Sequence, residues 1–249
     1  MSRLDPRLLL QGYAAGIFPM ADSRDASELF WVEPRSRAVI PLEKFHMSRS
    51  LRRTLRSGRF TVTLDSDFAA VIAACADREE TWINSDIERA MLALHASGHA
   101  HSIEVWNEGR LAGGLYGVKL GRAFFGESMF SRMTDASKVA LAWLVARMQV
   151  GGLVLLDCQF MTPHLASLGA VSIPRKTYVR LLSEALGGAA AGSSPGGSSA
   201  GAGRGAGSGA ARPSPPEFLA LERLLAAAGA SGSPDAEGYV IAQLLGQTS

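Results

Sequence analysis

Three extended runs lie almost end to end in the middle of this chain: Ser102–Trp106, Arg110–Lys119 and Arg122–Met129. Only Asn107-Glu108-Gly109 separates the first two, and Leu120-Gly121 separates the last two. Connections that short leave no room for a crossover helix, so the runs predict an antiparallel meander. Downstream of the meander, helical and strand patterns alternate. Asp135 or Ala136 to Gln149 places Val139, Leu141, Ala142, Val145 and Met148 at helical spacing. Leu153–Asp157 reads as a strand and His164–Leu168 as a short helix. A last helix runs from about Pro174, suited to a first turn, to Leu186. Upstream, Phe60–Leu64 alternates like a strand and Asp67–Asp77 reads as a helix. Ser85 with Glu88 has the spacing of a capping box opening a helix through His95. The fold class expected is α/β in the broad sense, with segregated α+β character.

Composition divides the rest. Residues 1–58 read as a small N-terminal domain: a helix from Leu4 to Ala14 ended by Gly16 and Pro19, a turn-rich extended stretch from Trp31 to Pro41, and a short helix from Arg49 to Ser57 capped by Ser48. Residues 59–186 hold the α/β unit. Residues 187–214 are a low-complexity Gly/Ala/Ser segment expected to be a flexible linker. Residues 215–249 are expected to be a short helical tail, Glu217–Ala228 and Ala236–Leu245. No site motif lies beyond Ala170, so a chain ending near Gly188 is expected to fold and work. The competing expectation is that Phe218, Leu221, Leu224 and Leu225 dock as an amphipathic helix.

Several classes are excluded. No run of 18 apolar residues exists, so no membrane span is expected. Asp5 and Pro6 interrupt any signal-peptide core, which points to the cytoplasm. Cys75 and Cys158 are the only cysteines and are expected to be reduced thiols rather than a disulfide or zinc framework. His95, His99 and His101 lack a fourth ligand at suitable spacing, so no metal is expected. Charge is uneven: residues 1–59 hold 11 Lys/Arg against 6 Asp/Glu, and the remainder 14 against 17. Arg49, Arg52, Arg53 and Arg56 recur at helical spacing on one face, away from Leu51 and Leu55. Such a stripe suits phosphate contact, or else is a solvated helix face.

The candidate chemistry lies in Gly126-Glu127-Ser128-Met129-Phe130-Ser131-Arg132 and in Asp157-Cys158-Gln159. Glu127, Asp157 and Gln159 are polar among Phe124, Phe125, Met129, Phe130, Leu155 and Leu156. Asp157 stands at a strand end, and Gln159, two residues on, is expected to point to the same side. On spacing alone Glu127 equally suits a solvated loop and Asp157 a helix cap.

Eight segments occur in a telling order. Gly12-Tyr13 with Gly16-Ile17-Phe18-Pro19 comes first, then Thr81-Trp82-Ile83, Gly98 to Trp106 and Gly113 to Val118. Gly126 to Arg132, Ala136-Ser137-Lys138, Asp157-Cys158-Gln159 and Ala166 to Ala170 come after them. Together they resemble the bacterial leucyl/phenylalanyl-tRNA–protein transferases over roughly residues 4 to 185. The resemblance implies a GNAT-like acyltransferase domain with no cofactor. It implies transfer of Leu or Phe, with Met a further candidate, from aminoacyl-tRNA to the α-amine of proteins beginning with Arg or Lys, marking them for N-degron degradation. A cytoplasmic monomer with no membrane partner is expected.

Carried over residue by residue, it makes Asp157 and Gln159 a catalytic relay, with Gln159 chiefly an orienter. Glu127 becomes an alternative proton acceptor, or the anion that attracts the cationic N-terminus. Leu115, Phe124, Met129, Leu141 and Met148 are implied to line the pocket for the transferred side chain; Leu115 stands where methionine is common. Trp31 and Trp82 are implied to stack on the tRNA 3′ adenosine, and Arg49, Arg52, Arg53 and Arg56 to meet tRNA phosphates. Two other functions compete. An acyl-CoA-dependent GNAT enzyme would need a glycine-bearing pyrophosphate loop, and Arg132 to Lys138 contains no glycine. A non-catalytic tRNA-binding protein would leave Asp157 and Gln159 without a purpose.

Overall fold

The computed structural model describes residues 4–187 and 217–247. The expected linker lies, from residue 188 on, outside the described residues. The meander forms the middle of a seven-stranded sheet as β5 (Ala100–Asn107), β6 (Arg110–Leu120) and β7 (Ala123–Ser131). β4 (Thr61–Leu64) flanks it on one side. β8 (Leu155–Gln159), β3 (Ser36–Ile40) and β9 (Val171–Pro174) lie on the other, giving the order β4-β5-β6-β7-β8-β3-β9. All pairings are antiparallel except β7 with β8. That parallel pair needs a crossover, which α5 (Ala136–Val150) supplies.

Two helical layers cover the sheet. One holds α1 (Pro6–Ala15), α3 (Phe68–Ala76), α4 (Ser85–Ala96) and α7 (Arg175–Ala185). The other holds α2 (Arg49–Leu55), α5, the short α6 (Pro163–Ala166), α8 (Ala220–Ala227) and α9 (Pro234–Gly246). Successive strand residues alternate between the layers: Leu115 and Phe124 join the second core, Tyr116 and Phe125 the first. A separate hairpin, β1 (Phe18–Met20) with β2 (Phe30–Val32), precedes the sheet.

Three local expectations change. Residues 36–40 are not an independent N-terminal element: β3 lies between β8 and β9, because Ala38, Val39 and Ile40 are buried only there. α4 is capped by Asn84 rather than Ser85, with Asn84 Oδ1 accepting from the Asp86 and Ile87 amides at 3.1 and 3.0 Å. Pro174 ends the edge strand β9 before α7 begins, and edges are where a strand proline is tolerated.

The tail is also not separate. α5 is apolar almost all round, and its side away from the sheet is covered by α8 and α9. Phe218, Leu221, Leu225, Ile241 and Leu245 are each at least 94% buried in that core. The Phe218 ring stacks on Phe124 at 5.6 Å. Buried Arg147 donates to the Phe218 carbonyl at 2.7 Å and is held by both oxygens of Glu222. The docking alternative is therefore what the packing shows.

Candidate active site

The register of β7 against β8 ends at Phe125↔Asp157. Beyond it, Gly126 to Met129 and Cys158 to Phe160 line opposite walls of a cavity of about 240 Å3. Two bulges sit at this point. In β7, Tyr116 pairs Ser128 and Gly117 pairs Gly126, so Glu127 is the extra residue. Gly117 permits the close crossing, since a Cβ there would lie 2.2 Å from the Phe125 carbonyl oxygen. In β8, Ala38 pairs Gln159 and Val39 pairs Asp157, leaving Cys158 over. Gln159 then takes φ +62°, a conformation that non-glycine residues hold only when the surroundings fix it.

Asp157 does the fixing. Its Oδ1 accepts the Gln159 backbone N–H at 2.8 Å. Its carboxylate is otherwise taken by Arg37, whose Nε and Nη2 donate at 3.0 and 2.7 Å, and by the Tyr178 hydroxyl at 2.7 Å. Arg37 is 1% exposed and Asp157 0%. Arg37 also lies over the Phe18 and Tyr178 rings and donates to the Gly16 carbonyl at 3.3 Å. Asp157 does not line the cavity, and it holds the backbone of Gln159 rather than its side-chain amide. The expectation that Asp157 and Gln159 face one way fails because the positive φ turns Gln159 out of strand geometry.

Gln159 and Glu127 do line the cavity and meet: Gln159 Nε2 donates to Glu127 Oε1 at 2.8 Å. That orientation leaves the Gln159 carbonyl without a donor among the described residues. Glu127 Oε2 and the buried hydroxyls of Tyr13 and Tyr116 have no partner at ordinary hydrogen-bond distance. Burial pushes the Glu127 carboxyl up to about 8, the Tyr13 hydroxyl nearby holding it back somewhat and the Asp157 charge raising it further. Glu127 is then mostly protonated at neutral pH. Glu127 and Tyr116 line the cavity, and unpaired polar atoms there mark a place that a ligand or a moving proton completes.

Of the implied pocket residues, Leu115, Met129 and Leu141 line the cavity, joined by Leu144, Leu156 and Leu165. Phe124 and Met148 do not: both are buried core, Phe124 against Phe218. Trp82 lines the cavity. Trp31 does not; it is 36% exposed on β2, with its ring over Gly12 of α1. The hairpin still touches the site, because Ala21 N–H donates to the Trp82 carbonyl at 3.3 Å and Phe18 meets the Phe160 ring edge-on at 5.6 Å. Arg49, Arg52, Arg53 and Arg56 lie elsewhere, along a surface groove on α2.

Sequence reasoning missed Arg37, Tyr178, Arg78 and Phe160. Arg78 donates to Ser128 Oγ at 3.3 Å and to the Met129 carbonyl, pinning the β7 wall. It also faces an adjoining cleft of about 660 Å3 that contains Arg132 and Lys138. The one available signal was Arg37 directly before the apolar run Ala38-Val39-Ile40. His101 lies apart from the cavity, its Nδ1 2.7 Å from Asp65 Oδ2.

Comparison with known proteins places this arrangement. A family model described as leucyl/phenylalanyl-tRNA protein transferase matches residues 39–183, and one for the N-terminal domain of the same proteins matches residues 2–35. The leucyl/phenylalanyl-tRNA–protein transferase of Rhizorhabdus wittichii is 54% identical over 260 residues, spanning 100% of both chains. That of Cereibacter sphaeroides is 62% identical over 187 residues, 75% of this chain and 87% of the other. That of Novosphingobium aromaticivorans is 62% identical over 194 residues, 74% of each chain.

Proposed function

The chain belongs to the leucyl/phenylalanyl-tRNA protein transferase family, and from that premise we propose how its cavity carries out the transfer. The protein is an aminoacyltransferase that moves leucine or phenylalanine from aminoacyl-tRNA to protein N-termini. The observation that carries the proposal is the Gln159–Glu127 pair on the wall of an otherwise apolar cavity. The leucyl or phenylalanyl side chain lies against Leu115, Met129 and Leu141, and Trp82 faces the terminal adenosine. The Gln159 carbonyl accepts a hydrogen bond from the attacking amine and aims its lone pair at the ester carbonyl.

The ester is already activated by its carrier, so the protein needs chiefly to position and to take a proton. An α-ammonium has a pKa of about 7.7–8.0. Only the ionised minority of Glu127 can take that proton at neutral pH, and because its carboxyl is pushed up to about 8 it matches the α-ammonium closely enough for the exchange to cost little. Asp157 acts through Gln159 and is a positioning residue.

We also propose a GNAT-like fold, supported by the parallel β7–β8 pair parting around the cavity. Acceptors beginning with Arg or Lys, and hence N-degron marking, are supported by the resemblance. A cytoplasmic monomer suits a substrate made there; no helix among the described residues is long and apolar enough to cross a membrane.

The test is transfer of leucine from charged tRNA to an Arg-initiated peptide. Gln159→Ala should lower kcat far more than it raises KM for either substrate. Wild-type turnover in Gln159→Ala would remove Gln159 from the mechanism, and no transfer by the intact chain would sink the proposal.

A further inference from the structure

We infer that α9 completes a groove for the phosphate backbone of the donor tRNA, with Tyr239 and Gln243 as the wall facing Arg52 and Arg56. The inference rests on the proposed transferase reading. α2 buries Leu51 and Leu55 and turns its arginines outward. Among the described residues none of Arg49, Arg52, Arg53 and Arg56 is in an ion pair. Four neighbouring cations on two helical turns repel one another, so their retention calls for an anion.

α9 crosses directly beside them. Gly238 makes the contact possible, since a Cβ there would lie 1.8 Å from the Leu55 carbonyl oxygen. The Arg56 guanidinium stacks over the Tyr239 ring at 4.6 Å. Arg52 Nη2 lies 3.4 Å from where a Cβ on Gly246 would be, at the C-terminal end of α9, where unpaired carbonyls favour a cation. Neither contact neutralises an arginine; both hold it in place.

The result is a groove in two joined parts. The first, about 580 Å3, is bounded by Arg49, Arg52, Arg53, Arg56 and Ser57. The second, about 270 Å3, shares Arg52 and Arg56 and adds Tyr239, Gln243 and Gln247. The chemistry of that wall is specific. The acids of α9 sit in its first turn and are engaged there: Glu237 accepts from the Gly232 amide at 2.8 Å, Asp235 from the Ser233 hydroxyl at 2.6 Å. From Gly238 to Gly246 the helix carries no charge. An inhibitory strap would offer carboxylates to the stripe. This wall offers a phenol whose oxygen accepts weakly from Gln243 at 3.4 Å, and amide N–H groups, all able to donate to phosphate oxygens.

The experiment uses the full-length chain and deacylated leucine tRNA, with affinity followed by fluorescence anisotropy over about 50–200 mM salt. Gln243 is exposed, so Gln243→Lys and Gln243→Glu keep the fold, and matching melting temperatures check that. Gln243→Lys should tighten binding several-fold at low salt and steepen the salt slope by about 0.9. Gln243→Glu should weaken binding several-fold, and Tyr239→Ala, by freeing Arg56, about 2- to 5-fold. Equal affinity for both Gln243 variants, with binding weakened in Arg52→Ala, would overturn the role of α9 and leave the stripe as the whole surface. Should Arg52→Ala also bind like the wild type, the inference falls together with the tRNA role of the stripe. Transfer by the unaltered chain then shows separately whether the enzyme assignment stands.

Discussion

Asp157→Asn separates two roles for the most buried acid of the site. The substitution keeps shape and removes one charge. It leaves the Arg37 guanidinium, 1% exposed, without a counter-charge, with one amide oxygen in place of two carboxylate oxygens beside the Tyr178 hydroxyl and the Gly16 carbonyl. Breaking a buried pair from one side costs about 3–5 kcal/mol. In a chain of this length each kcal/mol moves the melting temperature by roughly 2–4 °C, so a fall of roughly 6–20 °C is expected. Transfer should fall too, because the one amide oxygen left must be shared between Arg37 and the Gln159 backbone N–H, which loosens the contact that holds the positive φ. The double variant Arg37→Met with Asp157→Leu should recover most of the melting temperature, since replacing a whole buried pair by apolar groups is close to neutral. It should not recover transfer. Scanning fluorimetry and single-turnover kinetics on the three proteins decide the matter. If Asp157→Asn melts like the wild type while its chemical step collapses, Asp157 acts on the reacting atoms and the positioning role is wrong.

Three further outcomes come from the packing. The Glu127 carboxyl titrates near 8 folded against an ordinary 4.5, so the folded state binds the extra proton between those values. Its contribution to stability is present below about 4.5 and is lost as pH rises through about 8, on the order of a few kcal/mol in total. Urea midpoints of Glu127→Gln should therefore fall less steeply than wild type over pH 5 to 9, and parallel curves would show that Glu127 is not held protonated. Trp82→Ala should weaken aminoacyl-adenosine by about 1–3 kcal/mol in calorimetry, and Trp31→Ala by clearly less, because only Trp82 lines the cavity; a reversed order would move the adenosine to the hairpin. Phe218→Ala should cost about 3–5 kcal/mol, and a chain ending at Gly187 still more, because α5 loses its outer cover; a truncated chain melting like the intact one would make the tail dispensable.

Legibility in the sequence tracks physical range. The meander was readable because its turns leave no other geometry, and α5 because its apolar spacing is local. Glu127 and Gln159 stood out as polar residues among aromatics and leucines. Arg37 did not, since its partner is 120 residues away and the apolar run after it does not say that the arginine itself is buried. The extended stretch holding β3 was read without its place in the sheet, and β9 was missed, for the same reason: short strands acquire identity from the strands they join. Asp157 was seen, but with its neighbour's function, because period-2 alternation assumes an extended backbone and Gln159 departs from it. The tail's apolar spacing was visible, whereas the surface waiting for it, the far side of α5, was not.

The placement of β3 between β8 and β9 has a consequence for how the chain is made. β3 leaves the ribosome early, yet both strands that pair with it, and Asp157 for its neighbour Arg37, come about 120 residues later. At about 5–20 residues per second that is a wait of roughly 6–24 s. Through it, Ala38, Val39 and Ile40 are an unsatisfied strand with both edges open, attractive to any other nascent chain. The meander and α5 are mostly local and can close without it. Assembly of the cavity wall around Gln159 is therefore a late step in biogenesis, reached when residues 36–40 slot between two strands made more than 100 residues later.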